Sequence, residues 1–408
     1  MEEWKEYNIG DVCKIKHGFA FKGCYFVDEP QKYVCVTPGN FSLKGGFKNE
    51  KPKYYNGPIP EDYILKEDDL IVTMTDLSKA GDTLGYSALV PKDNNYVFLH
   101  NQRIGLIEDI SSSIDKHFLY WIMRTYEYQR YIVGHCSGST VKHTSPTSIG
   151  SYSFNAPSIE LQKAIASFLD NLDDKIENNR RINANLEAQA QALFKSWFVD
   201  FEPFKDQPFV ESELGRIPKG WRVGNIYEYI DVIYGAPYKS SLFNENKDGL
   251  PLIRIRDLKT NAPQFYTPEV LPNTEYINAG DIVAGMDAEF IPYVWLGEKG
   301  VLNQRCCKFK GKNDAISNYY ILFLIKPELE YVQSYKTGTT VSHLGKSDID
   351  RFKIMTPPLD VVLAFSERVN PMKEEVVNRA KESRRLASLR DALLPRLMSG
   401  ELKVNEVI

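Results

Sequence analysis

A chain of 408 residues exceeds what one hydrophobic core holds and suits two domains with a helical spacer. Its 43% apolar and 25% charged residues are ordinary for a soluble protein, and it lacks the run of about 18 apolar residues that would span a membrane. A net charge of −4 excludes nucleic-acid binding by bulk charge alone, so any positive surface must be local or supplied by a partner. The start, Met1-Glu2-Glu3-Trp4-Lys5, lacks the apolar core of a signal peptide, which predicts a cytoplasmic protein. Cys13, Cys24, Cys35, Cys136, Cys306 and Cys307 form no C-x-x-C pair and read as reduced structural thiols.

In chain order, a first domain spans residues 1–157. It reads as short strands at 11–16, 33–37, 69–75 and 96–99 between Gly and Pro turns, then one helix at 116–131 with Phe118, Leu119, Ile122 and Tyr126 on one face. Strands followed by a helix, without βαβ alternation, predict an α+β domain. Residues 158–200 carry Ile165, Phe168, Leu172, Ile176, Ile182, Leu186, Leu193 and Trp197 at helical spacing, with no Gly or Pro before residue 199. Such a helix reaches roughly 60 Å. A polar connector (201–216) leads to a second domain (217–357), a second helical stretch (358–400) and a short tail (401–408). In that second stretch Asn370-Pro371 reads as an N-cap with Pro at the first helical position, predicting a short helix, a break, then a long helix. Each apolar stripe must be buried, and each offers the other a seam. The expected architecture is therefore two α+β domains separated by two long helices packed as an antiparallel coiled coil, pseudo-twofold, with Asn179 in the seam to fix register.

An internal repeat supports this. Gly138, Thr140-Val141, His143, Ile149 and Pro157 recur as Gly338, Thr340-Val341, His343, Ile349 and Pro357, and Ala164, Asn178, Leu186 and Leu193 recur as Ala364, Asn378, Leu386 and Leu393. Within the domains the match is looser. His17-Gly18 answers Tyr234-Gly235, Asp69-Leu70-Ile71 answers Asp281-Ile282-Val283, and Asn101-Gln102-Arg103 answers Asn303-Gln304-Arg305. Insertions have collected in the domain loops while the helices kept their length, as a spacer of fixed reach requires.

Three segments carry a family resemblance. Leu193-Phe194-Lys195-Ser196-Trp197-Phe198-Val199-Asp200-Phe201-Glu202-Pro203, Ser212-Glu213-Leu214-Gly215-Arg216-Ile217-Pro218-Lys219-Gly220-Trp221 and the ending Leu389-Arg390-Asp391-Ala392-Leu393-Leu394-Pro395-Arg396-Leu397-Met398-Ser399-Gly400-Glu401-Leu402 resemble specificity subunits of type I restriction-modification enzymes. The stretch at 337–343 and Pro357-Pro358-Leu359 fit as well, and the likeness covers the whole chain in order. The resemblance implies target-recognition domains that each read one half of a split DNA target, and helices that set the spacer and dock two methyltransferase subunits. Two translocating nuclease subunits would complete the enzyme. It implies no cofactor in this chain, with S-adenosylmethionine, ATP and Mg2+ belonging to the partner subunits.

Candidate DNA contacts come from the duplicated segments. The loop Ser137-Gly138-Ser139-Thr140-Val141-Lys142-His143 and its repeat Thr337-Gly338-Thr339-Thr340-Val341-Ser342-His343 offer hydroxyls, Gly-flanked amides and an imidazole, which suit phosphate and base-edge contacts. Equally, the loop can close each domain onto its helix, with His as a structural residue. Ile253-Arg254-Ile255-Arg256 reads as a strand with Arg254 and Arg256 on one face, placed for guanine or merely solvated; Cys35 and Thr37 hold the corresponding places in the first domain. Arg103 and Arg305 recur in both domains, suiting a shared phosphate clamp or a buried salt bridge. Lys16, Lys22 and Lys239 among Phe19, Phe21 and Tyr238 fit a nucleic-acid surface or, better at this density, a core edge.

No catalytic constellation is legible. Gly345-Lys346-Ser347 has Thr340 where a P-loop needs its first Gly, and Thr356-Pro357-Pro358-Leu359 only superficially resembles a methyltransferase tetrad. Glu401-x-Lys403 lacks a credible acidic partner. Duplicated catalytic domains should carry duplicated acid, base or nucleophile clusters; the repeated residues here are Gly, Thr, Val, Pro and helix apolars with one His. The remaining rival is a tandem-domain scaffold for protein or peptide partners.

Overall fold

The protein is described here as a computed structural model, covering residues 4–78, 80–336 and 342–404. It divides into two compact units, Met1–Asp174 with Ala387–Ile408, and Lys175–Leu386. The division passes through both long helices. These run Ile159–Phe198 and Leu359–Met398, 40 residues each.

In the first unit an antiparallel sheet orders Lys14–His17, Ile104–Glu108, Leu70–Thr73 and Ser87–Leu89 side by side. Leu70, Ile71, Val72 and Thr73 are all buried, as an inner strand covered on both faces requires. A second sheet orders Phe26–Val27, Tyr54–Tyr55, Tyr33–Val36 and Val97–His100, the last pair parallel. Lys5–Asn8 pairs with Ser153–Ala156 and closes the domain beside the first long helix. The second unit repeats this plan: Ile230–Tyr234, Cys306–Gly311, Ile282–Gly285 and Pro292–Val294 in one sheet, and Tyr266–Thr267, Leu250–Ile253, Gly300–Leu302 and Tyr276–Ile277 in the other, again with one parallel pair. Both units are α+β.

The expected helix at 116–131 is two helices, Lys116–Ile122 and Tyr126–Gly134. Thr125 breaks it: its side chain accepts from the Tyr128 amide at 3.3 Å and restarts the chain as a new N-cap. In the second unit the corresponding helix, Asn318–Lys336, continues without a break and keeps Pro327 inside it.

Each core joins the N-terminal part of one long helix to the C-terminal part of the other, so the helices are antiparallel. The first unit buries Ile165, Ala166 and Leu169 with Leu393, Leu394, Leu397 and Met398. The second buries Ala190, Phe194 and Phe198 with Val362, Phe365 and Val369. The seam in the second unit holds Asn179, fully buried. Its amide donates to Glu382 (2.7 Å) and Ser383 (3.3 Å) and its oxygen accepts from Arg379 at 3.0 Å, while Asn183 donates to the Val376 carbonyl at 3.1 Å. A fully partnered polar group in an apolar seam penalises slipped registers, the role expected of Asn179.

Pro371 does not break the second helix as the sequence predicts. A proline in a helix interior costs about 3 kcal/mol through the lost hydrogen bond and ring clash. Val362, Phe365, Val369 and Val376 flank it and are each fully buried, and burying such side chains contributes roughly 1.5–3 kcal/mol apiece. Packing wins.

In the first unit His117 ties the Lys116–Ile122 helix to the long helix. Its Nδ1 lies 2.7 Å from Asp170 and its Nε2 3.3 Å from Asp68. The hydrogen bond with Asp170, then its charge and that of Asp68, raise the imidazole above its ordinary value of 6.5 against the opposing effect of burial. A group raised on folding stabilises fully below its unfolded value and loses that contribution as pH rises through its folded value. Urea unfolding at stepped pH should therefore show stability falling above about pH 6.5, and His117→Gln should flatten that slope. An unchanged slope in the variant would place its origin elsewhere.

Candidate nucleic-acid interface

Three chain segments meet identically in the two units. In the first, the Met74 amide donates to the Arg103 carbonyl at 2.9 Å and the Thr144 amide to the Met74 carbonyl at 3.0 Å. In the second, Met286 donates to Arg305 at 2.8 Å and Leu344 to Met286 at 2.7 Å. These bonds set the Asn-Gln-Arg turn, the strand end after Met and the segment at Thr144 or Leu344 side by side. The turn itself is held by Asn101 and Asn303, whose side-chain oxygens accept from the Arg103 and Arg305 amides, both at 3.1 Å.

The loop of the first unit begins at Gly138, whose φ of +92° and a Cβ clash of 2.0 Å with the Val141 carbonyl leave room for Gly alone. Ser139 and Thr140 are exposed beyond it. Lys142–His143 then pairs with Thr75–Asp76, and His143 Nδ1 lies 3.1 Å from the Thr75 hydroxyl. Lys142 is half-buried, its stem beside Gly81. Asp76 accepts from the Ser78 and Thr83 amides (2.6 and 2.5 Å) and fixes the adjoining turn; burial alone would raise its pKa, but these bonds hold it below the ordinary carboxylate value.

In the second unit Thr339 and Thr340 lie outside the described residues. The Ser342 carbonyl accepts from Ala288 at 3.0 Å. His343 Nδ1 is 2.7 Å from Asp287, and Arg305 donates to the same carboxylate at 2.5 Å. The Arg305 salt bridge is thus not a buried one. Lys336 donates to the His343 carbonyl at 2.7 Å and to Asp348 at 2.6 Å.

So the structure brings together Arg103, Lys142 and His143 in one unit and Arg305, Ser342 and His343 in the other. Hydrogen bonds on both His residues support the structural role in part; their exposure leaves the contact role intact. Thr75 and Asp287 were missed. The match of Asp69 to Asp281, continued at the same offset, reaches Met74 and Met286 and then these two residues.

Arg254 and Arg256 do not share a strand face. The strand Leu250–Ile253 ends before them, and Arg254 caps the short helix Ile255–Leu258, its amide donating to Asp257 at 3.0 Å. Its guanidinium lies 4.2 Å over the Phe265 ring, and burial lowers its pKa against the opposing charge of Asp257. Arg256 is exposed on that helix. The parallel pairs of the two units align Arg254 with Thr37, which caps the equivalent turn by donating its amide to Asn40 at 2.8 Å; Cys35 is core. The strand reading failed because side-chain capping overrode the apolar alternation.

Phe21 and Tyr238 are buried and Lys16 lies 5.2 Å over the Tyr63 ring, so those aromatics form a core edge. Glu401 accepts from Arg396 at 2.8 Å. All six cysteines are free thiols. Among the described residues no group of three or more His, Cys, Asp or Glu is placed to hold a metal ion, and no helix is long and apolar enough to cross a membrane.

An α+β unit built twice on paired helices, each setting an Asn-Gln-Arg turn beside a His-bearing segment, makes a protein of two like units. The model of the type I restriction modification DNA specificity domain matches residues 1–188 and 218–361. The chain belongs to that family. It is 31% identical over 316 residues to the type I restriction enzyme MjaIX specificity subunit of Methanocaldococcus jannaschii, covering 71% of this chain and 70% of that one. It is 25% identical over 480 residues to the type I restriction enzyme HindI specificity subunit of Haemophilus influenzae, covering 98% and 100%. In fold it is similar to the crystal structure of the type I restriction-modification system S subunit from M. genitalium, at TM-score 0.55 and 16% identity over 97% of this chain and 96% of that one. It is a DNA-specificity component, a recognition subunit and not a catalytic one, which decides against the protein-scaffold reading.

Proposed function

We propose that each unit reads one half of a split, asymmetric DNA target, and that the paired helices set the length of the unread spacer and dock two methyltransferase subunits. Two translocating nuclease subunits complete the assembly. S-adenosylmethionine, ATP and Mg2+ belong to those partners; this chain positions them on a sequence. The observation that carries the reading is the contrast between constant helices and varied loops. Both helices have 40 residues, while equivalent positions beneath the candidate contact residues differ between units, Thr37 against Arg254 and Thr75 against Asp287. Two readers of different sequences held at one distance need that combination.

Removing one turn from both helices, matched across the Asn179 seam, should shorten the recognised spacer by about one to two base pairs, from the 5.4 Å helical pitch and the 3.4 Å base-pair rise. Methylation mapping of host DNA in cells carrying the shortened subunit reads this directly. An unchanged spacer would rule out the ruler.

A further inference from the structure

We infer that Asp287 makes the two units unequal readers: it holds Arg305 and His343 as a fixed base-reading pair, whereas Arg103, with no such anchor, serves as a phosphate contact. This rests on the reading that each unit meets one half of a DNA target.

The backbones of the two sites are alike and their side chains are not. Asp287 is 14% exposed, yet the arginine and histidine it holds are 60% and 58% exposed. It is therefore a support beneath two presented groups. Burial would raise its carboxyl pKa, but hydrogen bonds from Arg305 and His343 outweigh that and lower it, so it is ionised. An ionised carboxylate only accepts, so His343 carries a proton on Nδ1, and its Nε2 is left as an acceptor when the ring is neutral. Arg305 gives Asp287 one Nη1 donor, leaving donors on Nε and Nη2, the fork that matches guanine N7 and O6. The ion pair also offsets part of the arginine's charge, which lowers its value as a non-specific phosphate attractor and leaves its direction.

In the first unit Thr75 stands where Asp287 stands in the second. A hydroxyl can donate or accept, so its 3.1 Å contact does not set the tautomer of His143. Arg103 is exposed and its side chain has no hydrogen-bond or ion-pair partner among the described residues. It keeps its full charge and its rotamer freedom. Phosphate contacts tolerate that freedom, and base contacts do not.

The test uses the subunit co-expressed with its methyltransferase partners, with binding-site selection from randomised DNA and affinity titrated between about 50 and 200 mM salt. Asp287→Asn should relax base preference by about tenfold at one position of one half-site and leave the other half unchanged. Arg305→Lys, which keeps the ion pair but loses the fork, should do the same and decides the matter if the first variant does not fold. Arg103→Ala should leave both half-sites intact and reduce the salt slope by about one. A folded Asp287→Asn or Arg305→Lys complex with wild-type base preference overturns the inference. A wild-type complex that selects no split sequence sinks the half-site reading itself, and this inference with it.

Discussion

Asp173→Ala is expected to destabilise the first unit by about 3 kcal/mol, a fall in Tm of roughly 6–12 °C for a domain of this size. Asp173 sits on the first long helix between two arginines. Arg124, whose side chain is 4% exposed, donates to it at 2.5 Å, and Arg390 of the second long helix donates to its other oxygen. Arg124 also bonds to the Lys44 carbonyl (2.8 Å) and the Tyr120 hydroxyl (2.5 Å), and its guanidinium lies 4.2 Å over Trp121. It cannot leave for solvent when its carboxylate is removed. Breaking a buried pair from one side costs more than the pair contributes, because the remaining charge is stranded. Arg390 has a second partner, Asp391, which is itself bonded to Lys44 at 2.6 Å, so part of the network survives. Asp391→Asn should therefore cost less than Asp173→Ala. Calorimetry of the purified complex separates the outcomes, and a loss below about 1 kcal/mol for Asp173→Ala would show that the cluster behaves like a surface network.

What the sequence made legible follows from which interactions are local. The stripe from Ile165 to Trp197 sets both the helix and its buried face, and the repeat at His143 and His343 places a second copy without any knowledge of the fold. Asn179 was readable for the same reason: a lone amide in an apolar seam has few other uses. The errors come from burial in one case and from capping side chains in the others. Asn370-Pro371 looks like a helix start from its neighbours, but burial on either side carries the helix through it. Arg254 and Arg256 alternate with Ile as a strand does, but Asp257 caps the chain into a turn after Ile253. The site was half visible. Arg103, His143, Arg305 and His343 announced themselves by recurring, whereas Thr75 and Asp287 differ between the copies. A search for repeated residues passes over the very positions at which the two copies have been given different tasks.

Gly235→Ala should cost about 3 kcal/mol and disturb recognition by the second unit alone, with Gly18→Ala doing the same to the first. Neither glycine has a positive φ, so the cause is proximity and not backbone conformation. A Cβ on Gly235 would lie 2.1 Å from the Asn303 carbonyl oxygen and 2.5 Å from that of Leu302; on Gly18 it would lie 2.1 Å from Asn101 and 2.7 Å from His100. Main chain cannot rotate out of the way as a side chain can. The segment after each glycine is bonded to the Asn-Gln-Arg turn. Ala236 donates to Leu302 at 2.9 Å and Gln304 donates to Ala236 at 3.0 Å, while Phe19 donates to His100 at 2.8 Å and Gln102 to Phe19 at 3.0 Å. Prising the two segments apart therefore displaces the turn that carries Arg305 or Arg103. Binding-site selection on each variant should weaken one half of the target and spare the other, with unfolding measured in parallel. Gly23→Ala is the control: nothing lies within 4 Å of its Cβ position, and its stability should stay within about 0.5 kcal/mol of wild type. If Gly235→Ala and Gly18→Ala were as silent as that control, the turn would not be held by these close approaches, and the explanation for why the sequence repeats a glycine at this point would fail.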